Sequence, residues 1–173
     1  MPTPTPLISA EQIRTRVGEL AAALAQRIPD GEPLHLVGVL KGGFMFLADL
    51  VRALPRPATV DFARLASYGS GTTSSGAVQL VTAPHPVRGR HVVIVEDIVD
   101  TGLTLERLRQ HLLADQPQSL TTVALLSKPG RASEVPIELV GFTLEDDRFV
   151  VGYGLDLDQQ HRQLPYIGVL DPS

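Results

Sequence analysis

The sequence predicts an α/β protein: a mostly parallel, twisted sheet flanked by helices, with a small subdomain laid over one edge. Three observations predict it. Leu34–Leu40, His91–Val95 and Thr121–Leu126 are short apolar runs, as in strands buried on both faces. Segments with apolar residues at helical spacing lie between such runs. The order strand, helix, strand then recurs, as parallel strands joined by crossover helices require. The 173 residues suit one domain spanning 1–173, with 1–8 as an extended N-terminal tail and 129–173 mostly in the subdomain.

Each element has a local cause. Met1–Pro6 alternates with proline and is expected to be extended and mobile. Ser9 with Gln12 three residues on reads as a capping box. Ile13, Val17, Leu20, Leu24 and Ile28 follow at helical spacing, so Ala10–Ile28 is expected as an amphipathic helix, stopped by Pro29-Asp30-Gly31. After the strand Leu34–Leu40, Lys41-Gly42-Gly43 turns the chain into a helix over Phe44–Leu54, ended by Pro55. Thr59–Ala66 alternates as a strand, and Ala77–Thr82 resumes strand character after the small, polar, glycine-rich stretch Tyr68–Gly76, expected as a flexible loop. His91–Val95 is the central strand, Glu96–Gly102 a turn, and Leu103–Leu113 a helix with Leu105, Leu108 and Leu112 inward. After Thr121–Leu126 only short pieces remain: Ile137–Phe142, Phe149–Gly152 and Ile167–Leu170, assigned to the subdomain.

Composition excludes several classes. With 43% hydrophobic and 20% charged residues the chain is neither disordered nor fibrous. No run reaches the roughly 18–20 apolar residues of a membrane span, and the start lacks the basic and apolar regions of a secretory signal. Zero cysteines exclude thiolate chemistry and suit a reducing compartment, so a cytoplasmic protein is expected. A net charge of −4 argues against nucleic acid as a partner. Only two of the 15 basic residues are lysine, Lys41 and Lys128. On a solvated surface the two cations interchange, but inside a site they do not.

Val92–Thr104 carries the chemistry. Four apolar β-branched residues run into Glu96 and Asp97, then Asp100-Thr101-Gly102. Ligands of open parallel sheets bind beyond the carboxyl ends of strands. Adjacent carboxylates there suit hydroxyls or a hydrated divalent cation. Thr101, Gly102 and Thr104 stand where a loop enters a helix, and main-chain N–H groups at such a place cradle phosphate. Together these features suggest a sugar phosphate. A plain solvated turn would explain one or two acids near a helix start, but three acids with Thr-Gly-x-Thr only poorly.

This segment closely resembles the phosphoribosyl-diphosphate motif of type I phosphoribosyltransferases, most of all the hypoxanthine–guanine branch. The resemblance runs from about Ser9 to the C-terminus and implies that family's fold, with the small subdomain as its hood. It implies that Glu96, Asp97, Ile98, Val99, Asp100, Thr101, Gly102, Leu103 and Thr104 line the ribose and 5′-phosphate. Glu96 and Asp97 would hold ribose hydroxyls directly or through Mg²⁺, and Asp100 would act as general acid/base near purine N7. Some family members carry lysine where this chain has Leu103.

Other pieces match the same family. Lys41 and Gly42 would bind pyrophosphate, in a loop that often holds a cis peptide before the lysine. Ser67 and Tyr68 would open a lid loop over the reaction centre. Lys128 would meet the purine O6. In Arg148-Phe149-Val150-Val151-Gly152-Tyr153-Gly154-Leu155-Asp156, Arg148, Phe149, Val150 and Asp156 would form the purine site: Phe149 stacks on the base, Val150 offers main-chain groups, and Asp156 sits by the metal. Without the resemblance Phe149 would be read as core packing. Arg162 would meet the pyrophosphate. The implied metal ligands are thus Glu96, Asp97 and Asp156, and the cofactor is Mg²⁺.

The implied reaction is purine salvage: transfer of the 5-phosphoribosyl group from 5-phospho-α-D-ribose 1-diphosphate to hypoxanthine or guanine. The substrates are the diphosphate and a 6-oxopurine, and the family's habit implies a homodimer or homotetramer. Two alternatives stay open on sequence: a xanthine–guanine preference, and a nucleotide-sensing regulator of the same fold, which would want a basic face that this chain lacks.

Overall fold

The computed structural model describes residues 3–67, 78–128 and 135–170. The expected α/β sheet is present. Its six strands run in the order β4 (Val78–Thr82), β3 (Ala58–Ser67), β2 (Leu34–Leu40), β5 (His91–Val99), β6 (Ser119–Ser127) and β7 (Leu139–Thr143). All neighbours are parallel except β4, which turns back antiparallel on β3. Helices α1 (Ala10–Gln26) and α2 (Phe44–Ala53) cover one face, and α3 (Leu103–Ala114) covers the other.

Strand alternation builds two cores. Leu36, Val93, Val95 and Leu125 pack against Ile13, Leu20 and Leu24 of α1 and Phe46 and Leu50 of α2. Val37, Val92 and Ile94 pack against Leu105, Leu108 and Leu112 of α3, the three leucines expected to point inward. Strands buried on both faces are why the sequence reads as continuous apolar runs.

From β2 the chain crosses through α2 to β3 on one side; from β5 it crosses through α3 to β6 on the other. The adjacent pair β2 and β5 is therefore the point where the winding reverses, and their carboxyl ends open the crevice where ligands of such sheets bind.

Four expectations are corrected. The N-terminal segment is not a free tail: β1 (Thr5–Ile8) pairs antiparallel with β9 (Ile167–Val169), which pairs with β8 (Val150–Val151), forming a three-stranded hood sheet. Pro6 is tolerated because β1 is an edge strand. Gly168 lets the chain approach, since a Cβ there would meet Pro4 Cβ at 2.9 Å. The piece expected around Ile137–Phe142 belongs to the main sheet as β7, because the exposed side of β6 supplies its partner, Val123 opposite Leu139. The turn expected from Glu96 starts later, since β5 continues to Val99 by pairing Glu96 with Ala124 and Ile98 with Leu126. Helix α1 keeps its capping box, with Gln12 N donating to Ser9 Oγ (3.2 Å) and Ser9 N to Gln12 Oε1 (2.8 Å), but ends at Gln26.

Candidate active site

The loop after β2 and the end of β5 meet directly. The Leu40–Lys41 peptide is cis. Gly42 lies against the Asp97 carboxylate so closely that a Cβ on Gly42 would stand 1.5 Å from Asp97 Oδ2. Its other side faces the hood: a Cβ on Gly154 would fall 2.1 Å from Gly42 O. The Lys41-Gly42 turn is thus wedged between the acidic strand end and residues that follow β8.

The hood brings its own charges to this wedge. Arg162 pairs with Asp156 Oδ1 (2.8 Å) and donates to Gly154 O (2.7 Å). Gln159 bridges the two halves: its Oε1 accepts from Lys41 Nζ (3.0 Å) and from Arg162 (3.2 Å), and its N donates to Asp156 Oδ2 (2.8 Å). A cation from each side of the crevice and the bare main chain of Gly42 are groups that suit a doubly charged anion. Sequence reasoning missed Gln159, a polar residue in a polar stretch with nothing to mark it.

Glu96 is buried and the neighbouring Asp97 half-buried. Burial above all, then the charge of Asp97 and the hydrogen bond between them, push Glu96 well above the ordinary carboxylate range. Burial also raises Asp97, although the Ile98 N–H and the Arg162 charge draw it back. Glu96 Oε2 has no hydrogen-bond partner among the described residues. A buried, unsatisfied acceptor beside a second carboxylate calls for a hydroxyl or a cation.

The donors fit Mg²⁺ in one mode only. Among the described residues no three His, Asp or Glu side chains gather as a metal cage. Glu96, Asp97 and Asp156 therefore do not enclose an ion by themselves, and Asp156 is committed to Arg162 and Gln159. One or two carboxylate oxygens completed by water and substrate phosphate are what Mg²⁺ accepts.

Beyond β5, Asp100, Thr101, Gly102 and Thr104 line a cavity of about 110 Å³ with Glu96, Ile98, Val99 and Leu105. Gly102 precedes α3 at φ 78, a conformation that favours glycine, and its carbonyl accepts from Glu106 N (2.8 Å). Gly102 has no side chain with which to cap α3, and the N–H groups that open a helix suit a phosphate. Leu103 points away, 45% exposed.

Lys128 follows β6 directly, as Lys41 follows β2. Its N donates to Val99 O (3.0 Å), and its half-buried ammonium donates to Asp147 Oδ1 (2.7 Å). Phe149 is 51% exposed, which rules out the core-packing alternative and leaves its ring free to stack. Val150 is buried in β8. Arg148 is held by Asp146, whose carboxyl it lowers to about 2. Ser67 ends β3, and Tyr68 lies outside the described residues.

A phosphoribosyl transferase domain model matches residues 9–158. The chain is 46% identical to the hypoxanthine-guanine phosphoribosyltransferase of Mycobacterium avium, with 96% of this chain and 85% of that protein covered. It is 45% identical to the hypoxanthine phosphoribosyltransferase of Haemophilus influenzae, covering 94% and 92%. A crystal structure of a hypoxanthine-guanine phosphoribosyltransferase from Bacillus anthracis superposes with a TM-score of 0.89 at 39% identity, covering 96% of this chain and 98% of that one.

Proposed function

The chain belongs to the phosphoribosyl transferase domain family, and from that membership and its site we infer a purine-salvage enzyme. It transfers the 5-phosphoribosyl group from 5-phospho-α-D-ribose 1-diphosphate to hypoxanthine or guanine, giving IMP or GMP and pyrophosphate. One observation carries the reading beyond the relatives. At the winding reversal between β2 and β5, the Lys41-Gly42 turn abuts the half-buried Asp97, next to the buried Glu96.

The roles follow from position. The 5′-phosphate sits in the cavity of Asp100–Thr104, held by the N–H groups opening α3 and by the Thr101 and Thr104 hydroxyls. Glu96 and Asp97 accept from the ribose hydroxyls. Lys41, the Gly42 main chain and Arg162 hold the pyrophosphate. Phe149 stacks on the purine, Val150 offers main-chain groups to it, and Lys128 donates to its O6, disfavouring the 6-amino group of adenine, itself a donor. As the C1′–oxygen bond breaks and purine N9 bonds to C1′, Asp100 takes the proton at N7. Asp97 and Glu96 would hold Mg²⁺ together with substrate oxygens, and the ion would supply positive charge against the charge gathering on pyrophosphate. Ser67 and Tyr68 open a lid that keeps water from the electron-poor C1′.

The enzyme works in the cytoplasm as a homodimer or homotetramer in this reading. No helix among the described residues is long and apolar enough to cross a membrane. Exposed Phe44, Val60 and Phe62 support self-association. The test is a spectrophotometric assay with the diphosphate, Mg²⁺ and each of hypoxanthine, guanine, xanthine and adenine. Turnover of hypoxanthine or guanine supports the reading. Turnover of none sinks it, and xanthine with guanine alone shifts the base preference.

A further inference from the structure

The two halves of the pyrophosphate receptor come from different parts of the chain, so something must hold them in register. Lys41 and Gly42 are continuous with α2, since Leu47 N donates to Gly43 O (2.9 Å). Asp156, Gln159 and Arg162 belong to the hood. Between them stands Tyr153, 8% exposed, whose hydroxyl donates to Asp49 Oδ2 of α2 (2.6 Å) across 104 positions of sequence.

The main chain around Tyr153 transmits that bond. Gly152, Tyr153 and Gly154 all lie at positive φ (98, 51 and 101). Neither glycine has room for a side chain: a Cβ would meet Tyr166 O at 2.1 Å from Gly152 and Gly42 O at 2.1 Å from Gly154. Tyr153 N donates to Leu164 O (2.8 Å), and Gly154 N to Arg162 O (3.0 Å). A shift of Tyr153 therefore moves the ends of the loop that carries Asp156, Gln159 and Arg162. Burial first, then the hydrogen bond and charge of Asp49, push the Tyr153 hydroxyl far above its ordinary range, so it remains a donor. The Arg52 partner of Asp49 is largely exposed and cannot replace the bond.

We propose that Tyr153 and Asp49 are positioning residues for the pyrophosphate end of the site. Their hydrogen bond sets the spacing between the Lys41-Gly42 turn and Arg162, and so the affinity for the diphosphate and pyrophosphate. Both residues line a separate cavity with Ile13, Arg14 and Met45, and neither is among the residues lining the cavity of Asp100–Thr104. The inference rests on the reading of that receptor as the pyrophosphate site.

The test compares Tyr153→Phe, Asp49→Ala and Asp49→Asn. The phenyl ring keeps the packing and loses the donor; asparagine keeps an acceptor. Tyr153→Phe and Asp49→Ala should each raise KM for the diphosphate about tenfold while KM for hypoxanthine stays within about twofold. Asp49→Asn should stay near wild type. Calorimetric titration with Mg²⁺ and pyrophosphate should show the same tenfold loss, and this reads the inference even if the wild type turns over no purine. A merely structural contact would lower Tm and move both KM values together, or neither. Either pattern in Tyr153→Phe overturns the proposal, as does an Asp49→Asn loss equal to that of Asp49→Ala.

Discussion

Gly42 and Asp97 occupy one small space: the glycine's missing side chain is where the carboxylate lies, 1.5 Å from an ideal Cβ. The Lys41-Gly42 turn and the acidic end of β5 are therefore one unit. Gly42→Ala must displace either Asp97 or the turn. We expect kcat/KM for the diphosphate to fall about 100-fold, equivalent to about 2.7 kcal/mol, with Tm within a few degrees of wild type. Near-normal kinetics would mean the two parts need no contact.

Asp100 lies past the end of β5 and lines the cavity of about 110 Å³ there. Asparagine keeps its size and removes its capacity to take a proton. Asp100→Asn should lower kcat by about 10²–10⁴-fold, the usual range for a lost general base, with KM for the diphosphate changed less than about threefold. Equal losses in kcat/KM for both substrates without loss of kcat would make it a binding residue.

Lys128 is held toward the crevice by Val99 O and Asp147. Its ammonium favours a 6-oxo acceptor over a 6-amino donor. A charge-assisted hydrogen bond contributes about 1.5–3 kcal/mol. Lys128→Ala should thus cut the hypoxanthine-to-adenine ratio of kcat/KM by about tenfold or more, measured by competition assay. An unchanged ratio refutes the role.

Ser9 caps α1 from an exposed position and is not among the residues lining the cavity of Asp100–Thr104. Ser9→Ala leaves Gln12 N without its side-chain acceptor and should cost about 1 kcal/mol, lowering Tm by about 2–4 °C in a calorimetric scan. Activity at 25 °C should be unchanged.

Much of this was legible in the chain itself. Apolar runs named the buried strands because both faces of a parallel sheet are covered. The two lysines fell at strand ends, and Glu96–Thr104 runs from the end of a buried strand into a helix start as its contiguous pattern implied. The capping box was local too, and it appeared at the expected residues. Partner choice was not local. That β5 runs on to Val99, that β7 completes the main sheet and that β1 closes on β9 all depend on which strand stands alongside. Nor could spacing show that Gln159 bridges Lys41 and Arg162, or that Tyr153 reaches Asp49. Sequence determined which chemical groups each contiguous motif carries. Tertiary structure alone decided how those motifs meet, because their contacts join residues about 100 positions apart, whose approach is set by packing and not by local conformational preference.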